Sequence, residues 1–370
     1  MKRSDYTKRL NSLRESFGGK GPDTLWVVQP ENRRYLSGFR AGDTQLTESS
    51  GSLLITADKA ILITDSRYTT EAQKEAGDFD VVTLKNGLID DLADLLRQMD
   101  TKILGFDEDH LTWGVHRQLS GKIKQLSLPV RLKPVKGAVE NLREIKGKSE
   151  ADAMEKSADI MSGILDEVFR GLKKGKTEKE AAREIEGLAA EAGADGLAFP
   201  SIVASGPNGA LPHAVPTDRK IGLKEPIVFD VGLKLNGYCC DMTRTVFLEK
   251  PGPEFRKIYR TVREAQLAAL EYVRPGVMST KPDSIARGVI KDAGFGDYFG
   301  HSLGHGVGLA VHESPRLAPV KPVKLKKGMV VTVEPGIYIP GKGGVRLEEM
   351  VIIEDDGPRI LTRNDHYYEF

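Results

Sequence analysis

The sequence predicts a protein of two domains, each of which mixes helices and strands. The chain has 370 residues, which is enough for about two domains with separate hydrophobic cores. In the first third, short apolar runs of strand length alternate with segments of helical spacing, a pattern typical of a small α/β domain. A charged segment with scattered glycines then interrupts this pattern. We therefore predict an N-terminal domain over residues 1–135, a linker over 136–148 and a larger domain over 149–370.

The elements of the first domain follow from its apolar runs. Runs that are partly β-branched and end at glycine, aspartate or charged residues predict strands near Trp26, Leu53, Leu62 and Leu104. Apolar residues at helical spacing predict helices over Thr69–Ala76 and Leu88–Met99.

Capping patterns place the helices of the second domain. Ser149 and Asp152 form a capping-box pattern at the start of a long helix, and Thr177 with Glu180 repeats the pattern ahead of another. Apolar spacing predicts further helices over Pro253–Tyr272 and Lys281–Ala293. The strands between these helices carry the polar residues that suggest a function.

The charge balance excludes several classes of partner. Lys and Arg total 54 against 53 Asp and Glu, so no net field favours nucleic acid or an anionic membrane. The N-terminal segment is charged throughout, and no apolar run reaches the roughly 18 residues that a membrane span needs. We expect a cytoplasmic protein. Cys239 and Cys240 are adjacent, which makes a mutual disulfide geometrically poor, so we expect reduced, small packing residues.

Two aspartates in a mostly apolar segment are the first candidates for metal binding. Asp230 and Asp241 lie in IVFDVGLKLNGYCCDMTRTVF, where Asn236 and the neighbouring glycines suggest a hairpin that returns the second carboxylate to the first. Burying two like charges together is costly unless a cation neutralises them. An isolated strand aspartate is more often a turn or surface residue, so for this pair alone metal binding and that simpler interpretation remain equally open.

A cluster of histidines follows in YFGHSLGHGVGLAVHESPR. Three of the seven histidines of the chain, His301, His305 and His312, fall within this segment. A single histidine is more often a surface or core residue, but the clustering and the dense glycines, which let the backbone approach closely, favour a functional site.

Glutamates in apolar strands complete the set of candidates. Glu334 lies beside Val331 and Val333 with no obvious solvent face, and Glu348 precedes Glu349 in GGVRLEEMVII. Alternation along a strand predicts that one of this last pair faces inward, without saying which. The combined set of four carboxylates and one imidazole suits two divalent cations of the manganese or cobalt kind, and it comprises Asp230, Asp241, His305, Glu334 and Glu348.

Five segments in a fixed order carry a resemblance to a known family. They are FPSIVASGPNGALPHA, IVFDVG with YCCDMTRT, GHGVGL with HE, TVEPGIY and GGVRLEE. Together they resemble the pita-bread metallopeptidases, the family of aminopeptidase P, prolidase and methionine aminopeptidase. The segments ENRRYLSGF and ILITDSRYTTEA resemble the smaller lobe of prolidase and aminopeptidase P, which methionine aminopeptidase lacks. The resemblance implies an α+β fold, a C-terminal pita-bread catalytic domain preceded by a smaller α/β domain.

Residue by residue, the resemblance implies metal-binding roles for the carboxylates and one histidine. Asp230 would bind one cation, His305 and Glu334 the other, and Asp241 and Glu348 would bridge both, which decides between Glu348 and its neighbour. We expect two divalent cations per chain, Mn2+ first, with Co2+ and Zn2+ as alternatives.

The resemblance also implies roles for residues around the metals. His213 and His312 would contact the substrate or the tetrahedral intermediate, and Glu334 would shuttle a proton. His301 and Arg346 would line the site. Cys240 occupies a position where serine is more usual, which we expect to be harmless.

The activity that the resemblance implies is hydrolysis of the bond between an N-terminal residue and a following proline, in an Xaa-Pro aminopeptidase that forms a homodimer. The closest alternative is prolidase, restricted to Xaa-Pro dipeptides, in which Arg316 would hold the free carboxylate unless it is a surface arginine. A non-catalytic pita-bread binding module is a remote alternative because all five ligands are present.

Overall fold

The computed structural model describes residues 3–15, 17, 21–43, 45 and 48–370. The chain divides into two compact units, Met1–Arg143 and Glu144–Phe370. The division falls within the segment 136–148, which is not a bare connector because it contains a short helix, Glu140–Arg143, and the first residue of the helix Lys148–Gly171. Residues 1 and 2, at the start of the predicted first domain, lie outside the described residues.

The first unit is an α/β layer structure built on one sheet. Its helices are α1 (Arg3–Glu15), α2 (Pro30–Ser37), α3 (Thr69–Glu75), α4 (Leu88–Gln98), α5 (Trp113–Gln125) and α6 (Glu140–Arg143). Its strands are β1 (Thr24–Val27), β2 (Ser52–Ile55), β3 (Ala60–Thr64), β4 (Asp80–Thr83), β5 (Ile103–Asp107) and β6 (Arg131–Val135). The six strands form a sheet in the order β4-β3-β2-β1-β5-β6, in which β2 runs antiparallel to its neighbours. The four strands predicted in this unit are confirmed.

The helices of the second unit pack around its sheets. They are α7 (Lys148–Gly171), α8 (Glu178–Glu191), α9 (Pro253–Leu270) and α10 (Thr280–Asp292), with short 3-10 turns at Gly206–Ala210 and Gly296–Tyr298. The capping box of Thr177 and Glu180 is confirmed. The one predicted at Ser149 and Asp152 is wrong, because α7 begins before Ser149 and the Gly147 N–H donates to Glu150 Oε2 at 2.9 Å. In the described residues, no helix is both long and apolar enough to cross a membrane.

The strands of the second unit form small antiparallel sheets. They are β7 (Gly196–Leu197), β8 (Ile202–Ser205), β9 (Ile227–Val231), β10 (Leu233–Leu235), β11 (Tyr238–Cys239), β12 (Met242–Val246), β13 (Gly304–Gly306), β14 (Glu313–Leu317), β15 (Val330–Val333), β16 (Gly336–Ile339), β17 (Gly343–Arg346), β18 (Glu349–Ile353) and β19 (Pro358–Ile360). The sheets have the orders β11-β10-β7, β12-β9-β8, β14-β13-β15-β18-β19 and β16-β17.

The hairpin expected between the two aspartates is present. Asn236 and Gly237 both have positive φ, 51° and 82°, as a two-residue turn of the Asn-Gly type requires. The turn joins β10 to β11, and beyond it β12 pairs with β9 so that Thr243 lies opposite Asp230. The chain therefore returns Asp241, which immediately precedes β12, towards Asp230.

The glycines of the histidine-rich segment permit a close backbone approach. A Cβ atom at Gly304 would lie 2.0 Å from the Thr332 carbonyl oxygen, and one at Gly306 would lie 2.2 Å from that of Ser314. No side chain fits at either position, so β13 can lie tightly between β14 and β15. This packing brings His305 close to the end of β15, where Glu334 follows.

Candidate metal centre

One cavity of the second unit unites the residues that the sequence singled out. Its volume is about 470 Å³. All ten candidates line it: His213, Asp230, Asp241, His301, His305, His312, Arg316, Glu334, Arg346 and Glu348. Five further residues complete the lining: Phe199, Ile202, Pro212, Ser302 and Tyr338. We did not predict these five, although Tyr338 belongs to the quoted TVEPGIY segment and Phe199, Ile202 and Pro212 to FPSIVASGPNGALPHA.

The imidazole of His305 is oriented towards the carboxylates by its own backbone. Its Nδ1 atom lies 3.0 Å from the Gly306 carbonyl oxygen, which can only accept a hydrogen bond, so Nδ1 carries the proton. Its Nε2 atom then faces Glu334 Oε1 at 3.2 Å and Asp241 Oδ2 at 3.6 Å. This is the arrangement of a metal-ligating histidine, whose second nitrogen is fixed by a backbone carbonyl.

Glu348 and Glu349 separate as alternation requires. The Glu348 backbone N–H donates to the Thr243 carbonyl at 3.1 Å, and its Oε2 accepts the Thr243 hydroxyl at 2.7 Å. Glu349 instead faces Arg244, whose Nη2 lies 3.3 Å from each of its carboxylate oxygens. Glu348 is therefore the glutamate in the cavity, and Asp241, His305 and Glu348 bring ligand atoms within 4.8 Å of one another.

The carboxylates of this cavity are buried and crowded. Burial, with mutual repulsion, raises the pKa of Asp230, Asp241 and Glu348. Burial would also raise the pKa of Glu334, but its hydrogen bond and ion pair with His305 outweigh this and lower it to about 2. Ionising all four groups together is therefore costly without additional cations.

Two buried carboxylate oxygen atoms also indicate that cations belong in this cavity. In the part of the chain that the structure describes, Asp230 Oδ1 and Glu348 Oε1 have no hydrogen-bond partner. Buried acceptors without donors are rare in folded proteins. Four hard oxygen donors with one imidazole are also the ligand chemistry that manganese, cobalt and zinc ions accept. The residues present therefore fit divalent metal ions.

A directed hydrogen-bond chain runs along one side of the cavity. Arg346 Nη2 donates to Asp230 Oδ2 at 2.5 Å, and Arg346 Nη1 donates to the Tyr338 hydroxyl at 2.8 Å. Because Arg346 can only donate, the Tyr338 hydroxyl gives its own proton to His301 Nε2, 2.9 Å away. Burial lowers the pKa of His301 and raises that of Tyr338 to about 12, so both groups stay neutral.

Three further candidates lie at the exposed side of the cavity. His213, His312 and Arg316 are all exposed. The rings of His312 and His305 meet edge to face, with centroids 4.3 Å apart. Partial burial, together with the positive charge of His305, lowers the pKa of His312 to about 4. His312 is therefore a neutral imidazole near pH 7, able to donate one hydrogen bond.

Comparisons with known proteins identify the family. The description "Metallopeptidase family M24" matches residues 152–355, and "Creatinase/Prolidase N-terminal domain" matches residues 9–145. The chain belongs to metallopeptidase family M24. It is therefore a peptide-bond hydrolase, and its larger unit has the pita-bread fold of M24 peptidases, which bind divalent metals.

Relatives of this M24 peptidase span nearly its whole length. The Xaa-Pro dipeptidase of Pyrococcus furiosus is 36% identical over 97% of this chain and 98% of its own. The structure of the Xaa-Pro dipeptidase from Bacillus anthracis is 35% identical, with a TM-score of 0.89, covering 97% of this chain and 98% of its own. The X-Pro aminopeptidase of Thermotoga maritima is also 35% identical, with a TM-score of 0.82, covering 92% and 96%.

A second group of possible metal ligands lies in the N-terminal unit of this M24 peptidase. Asp107, His110 and Glu140 bring ligand atoms within 4.8 Å of one another. However, His110 Nδ1 and Asp107 Oδ2 are 2.7 Å apart and pair with each other, and this hydrogen bond raises the pKa of His110. Glu140 accepts a hydrogen bond from Asn32. These groups have partners of their own, so the cavity of the second unit is the stronger candidate for a metal centre.

The two cysteines lie directly before Asp241, Cys239 at the end of β11 and Cys240 just after it. Both are buried. Cys239 Sγ donates to the Leu309 carbonyl, 3.7 Å away, and Cys240 Sγ accepts the Leu233 N–H at 3.2 Å. Burial raises the pKa of Cys240 to about 11, so its thiol stays protonated and unreactive in the folded protein.

Proposed function

We propose that this protein is an Xaa-Pro dipeptidase that uses two divalent cations, most simply Mn2+. The sequence alone favoured an Xaa-Pro aminopeptidase, with the dipeptidase as the alternative. The relatives named Xaa-Pro dipeptidase support the alternative better. The observation that carries the proposal is Arg316, a cationic side chain in the same cavity as the carboxylates and His305.

The cations would be held by the cluster of buried donors. We assign Asp230 to one cation, His305 and Glu334 to the other, and Asp241 and Glu348 to both. When bound, such cations polarise a carbonyl group and lower the pKa of a water molecule towards neutrality. In the metal-free protein, burial opposes protonation of His305, but the hydrogen bond and ion pair with Glu334 prevail and raise its pKa, so protons compete with metal for this imidazole and binding should strengthen as pH rises.

The residues of the chain supply proton transfer and charge stabilisation. Glu334 takes a proton from the attacking water and passes it to the proline nitrogen as the peptide bond breaks. His312, neutral near pH 7, donates a hydrogen bond to the oxyanion that forms at the carbonyl oxygen. His213 orients the substrate from the exposed side of the cavity, and the chain of Arg346, Tyr338 and His301 fixes the Asp230 carboxylate.

Recognition of the second residue combines an apolar wall with a positive charge. The rings of Phe199 and Pro212 and the side chain of Ile202 line the cavity and offer apolar surface to a pyrrolidine ring. Proline nitrogen carries no N–H, so shape rather than hydrogen bonding must select this residue. The Arg316 guanidinium would bind the free carboxylate of the dipeptide.

The proposal is tested with metal-reconstituted protein on Ala-Pro, Ala-Ala and Ala-Pro-Gly. We expect rapid cleavage of Ala-Pro, weak cleavage of Ala-Ala and little cleavage of the tripeptide. Arg316→Ala should raise KM for Ala-Pro, with a smaller change in kcat. Arg316→Lys keeps the charge without the planar fork and is the matched control. Equal rates on Ala-Pro and Ala-Ala would contradict the proposal.

The second candidate is the Xaa-Pro aminopeptidase expected from the sequence. The observation that favours it is the likeness to the X-Pro aminopeptidase of Thermotoga maritima over 92% of this chain. The same assay separates the two candidates. Cleavage of Ala-Pro-Gly as fast as Ala-Pro, with no effect of Arg316→Ala, would favour the aminopeptidase.

A further inference from the structure

We propose that Glu178, a buried carboxylate outside the cavity, is a positioning residue for His213. Glu178 is the first residue of α8 and is fully buried. It holds both ends of the segment 205–217, which carries His213, and thereby fixes where this imidazole enters the cavity. The inference rests on the proposed function in one respect, the assignment of His213 to substrate orientation.

Five hydrogen bonds connect the Glu178 carboxylate to this segment. At the first end, the backbone N–H and the hydroxyl of Ser205 donate to Oε1, at 2.7 and 2.8 Å. At the second end, the backbone N–H and the hydroxyl of Thr217 donate to Oε2, at 2.9 and 2.7 Å. The Asn208 amide donates to the same Oε2 at 2.8 Å. One side chain therefore closes a loop whose ends are 12 residues apart in the sequence.

The chemistry of these donors requires a carboxylate. Both oxygens of Glu178 accept a backbone N–H, a group that can only donate. Glutamine at this position would place its NH2 group against one of those N–H groups in either orientation. A buried donor then loses its acceptor, whereas the helix and the size of the side chain are unchanged.

His213 depends on the backbone of this loop for its position. Within the described part of the chain, no hydrogen bond holds its imidazole. The apolar neighbours Leu211 and Val215 are exposed, 58% and 76%, whereas the small side chain of Ala214 is 3% exposed, so this stretch packs mainly through Ala214. Besides Glu178, Arg346 reaches the loop, because its Nη1 donates to the Pro212 carbonyl at 3.2 Å. The loop is thus held at its ends by Glu178 and near His213 by a residue of the hydrogen-bond chain.

The experiment compares Glu178→Gln, His213→Ala and the double variant in the full-length, Mn2+-reconstituted protein. Glu180→Gln is the matched control, since Glu180 caps the same helix end through the Thr177 N–H. Thr217→Val, which removes the hydroxyl that donates to Glu178 Oε2 and accepts the Arg219 N–H, serves if Glu178→Gln does not fold. We measure kcat and KM on Ala-Pro, bound metal, melting temperature, and hydrogen exchange of the amides in 206–217.

We expect Glu178→Gln to keep the metal, speed exchange in 206–217 and lower kcat by about 10-fold to about 100-fold, the cost of a small misplacement. In the His213→Ala background, the same change should lower kcat by less than about twofold, because its effect passes through His213. Glu180→Gln should alter neither exchange in 206–217 nor kcat.

Two outcomes would overturn the inference. One is an equal loss of kcat from Glu178→Gln with and without His213. The other is unchanged exchange in 206–217, which decides against the inference whatever the substrate. A wild-type protein that does not cleave Ala-Pro would instead refute the proposed function, and the exchange measurement would still show whether Glu178 holds the loop.

Discussion

Glu348 immediately precedes β18 and Glu349 is its first residue, and the two adjacent side chains point in opposite directions. Glu348 lines the cavity with Asp241 and His305, while Glu349 forms a buried ion pair with Arg244 at 3.3 Å. Arg244 also donates to the Glu348 carbonyl at 2.6 Å, so it stabilises the backbone at the start of β18. Two glutamates of the same size and burial therefore have separable roles, one in the site and one in its support.

The first prediction compares Glu348→Gln with Glu349→Gln, which serves as its control. Glu348→Gln should lower bound metal and activity together, because it removes a charge assigned to both cations. Glu349→Gln should retain the metal but lower the free energy of unfolding by about 3 kcal/mol, since it leaves the Arg244 guanidinium buried without its counter-charge. Elemental analysis and denaturant unfolding distinguish the two, and equal metal loss in both variants would refute the assignment.

The second prediction separates a bridging ligand from a catalytic neighbour. Asp241→Asn should reduce metal occupancy and activity together. His312→Gln should keep the metal and cut kcat by roughly 10²–10³, the scale seen when one oxyanion donor is deleted, with a smaller change in KM. If His312 merely packs beside the site, its variant will keep most activity and chiefly lose stability. Bound metal, kcat and melting temperature are measured on both proteins.

The third prediction concerns removal of the metal. Chelation should abolish hydrolysis and added Mn2+ or Co2+ should restore it. Chelation should also lower the melting temperature, because the buried carboxylates then lose the positive charge of the metal ions. A site saturated 100-fold above its Kd contributes about 2.7 kcal/mol to stability. Thermal unfolding with and without chelator measures this loss, and full activity in protein shown to be metal-free would exclude the mechanism.

The fourth prediction is a pH dependence in the N-terminal unit. The hydrogen bond to Asp107 raises the pKa of His110, so the pair stabilises the fold in full below the unfolded value of about 6.5 and less as pH rises through the folded value. Burial alone would raise the pKa of Asp107, but the hydrogen bond from His110 outweighs burial and lowers it. The stabilisation that the pair provides therefore persists down to about pH 4.

His110→Gln should therefore destabilise the protein more at pH 5.5 than at pH 8.5. The difference should stay below about 1 kcal/mol, because the His110 side chain is 37% exposed. Asp107→Asn removes the same pair and should abolish the same pH dependence. Urea unfolding at pH 5.5 and pH 8.5 measures the free energy of unfolding of each variant. A larger loss of stability in His110→Gln at pH 8.5 than at pH 5.5 would contradict the prediction.

Local chemistry explains which elements the sequence predicted. The hairpin at Asn236 and Gly237 was predictable because its turn residues are neighbours, and the cap formed by Thr177 and Glu180 spans three residues. The strands β4 and β6 were not predicted. Both are sheet edges with partly exposed residues, so neither presents the continuous apolar run that marks the central strands.

Long-range contacts explain what the sequence could not provide. Alternation left Glu348 and Glu349 equivalent, because the choice depends on Arg244, which lies 105 residues before Glu349. No sequence pattern singles out Glu178, because its partners follow 27 to 39 residues later. The ten cavity residues were identified from motifs, but only the fold shows that they surround one space.

The buried thiols beside Asp241 can report local opening of the segment between β11 and β12. Cys239 and Cys240 are 1% and 0% exposed, so a thiol reagent can reach them only when this part of the sheet separates. The rate of thiol labelling in native buffer would measure how readily this segment opens, without an attached dye. Since cations would hold Asp241 from the adjacent position, adding metal should slow the labelling, giving a binding assay that needs no substrate.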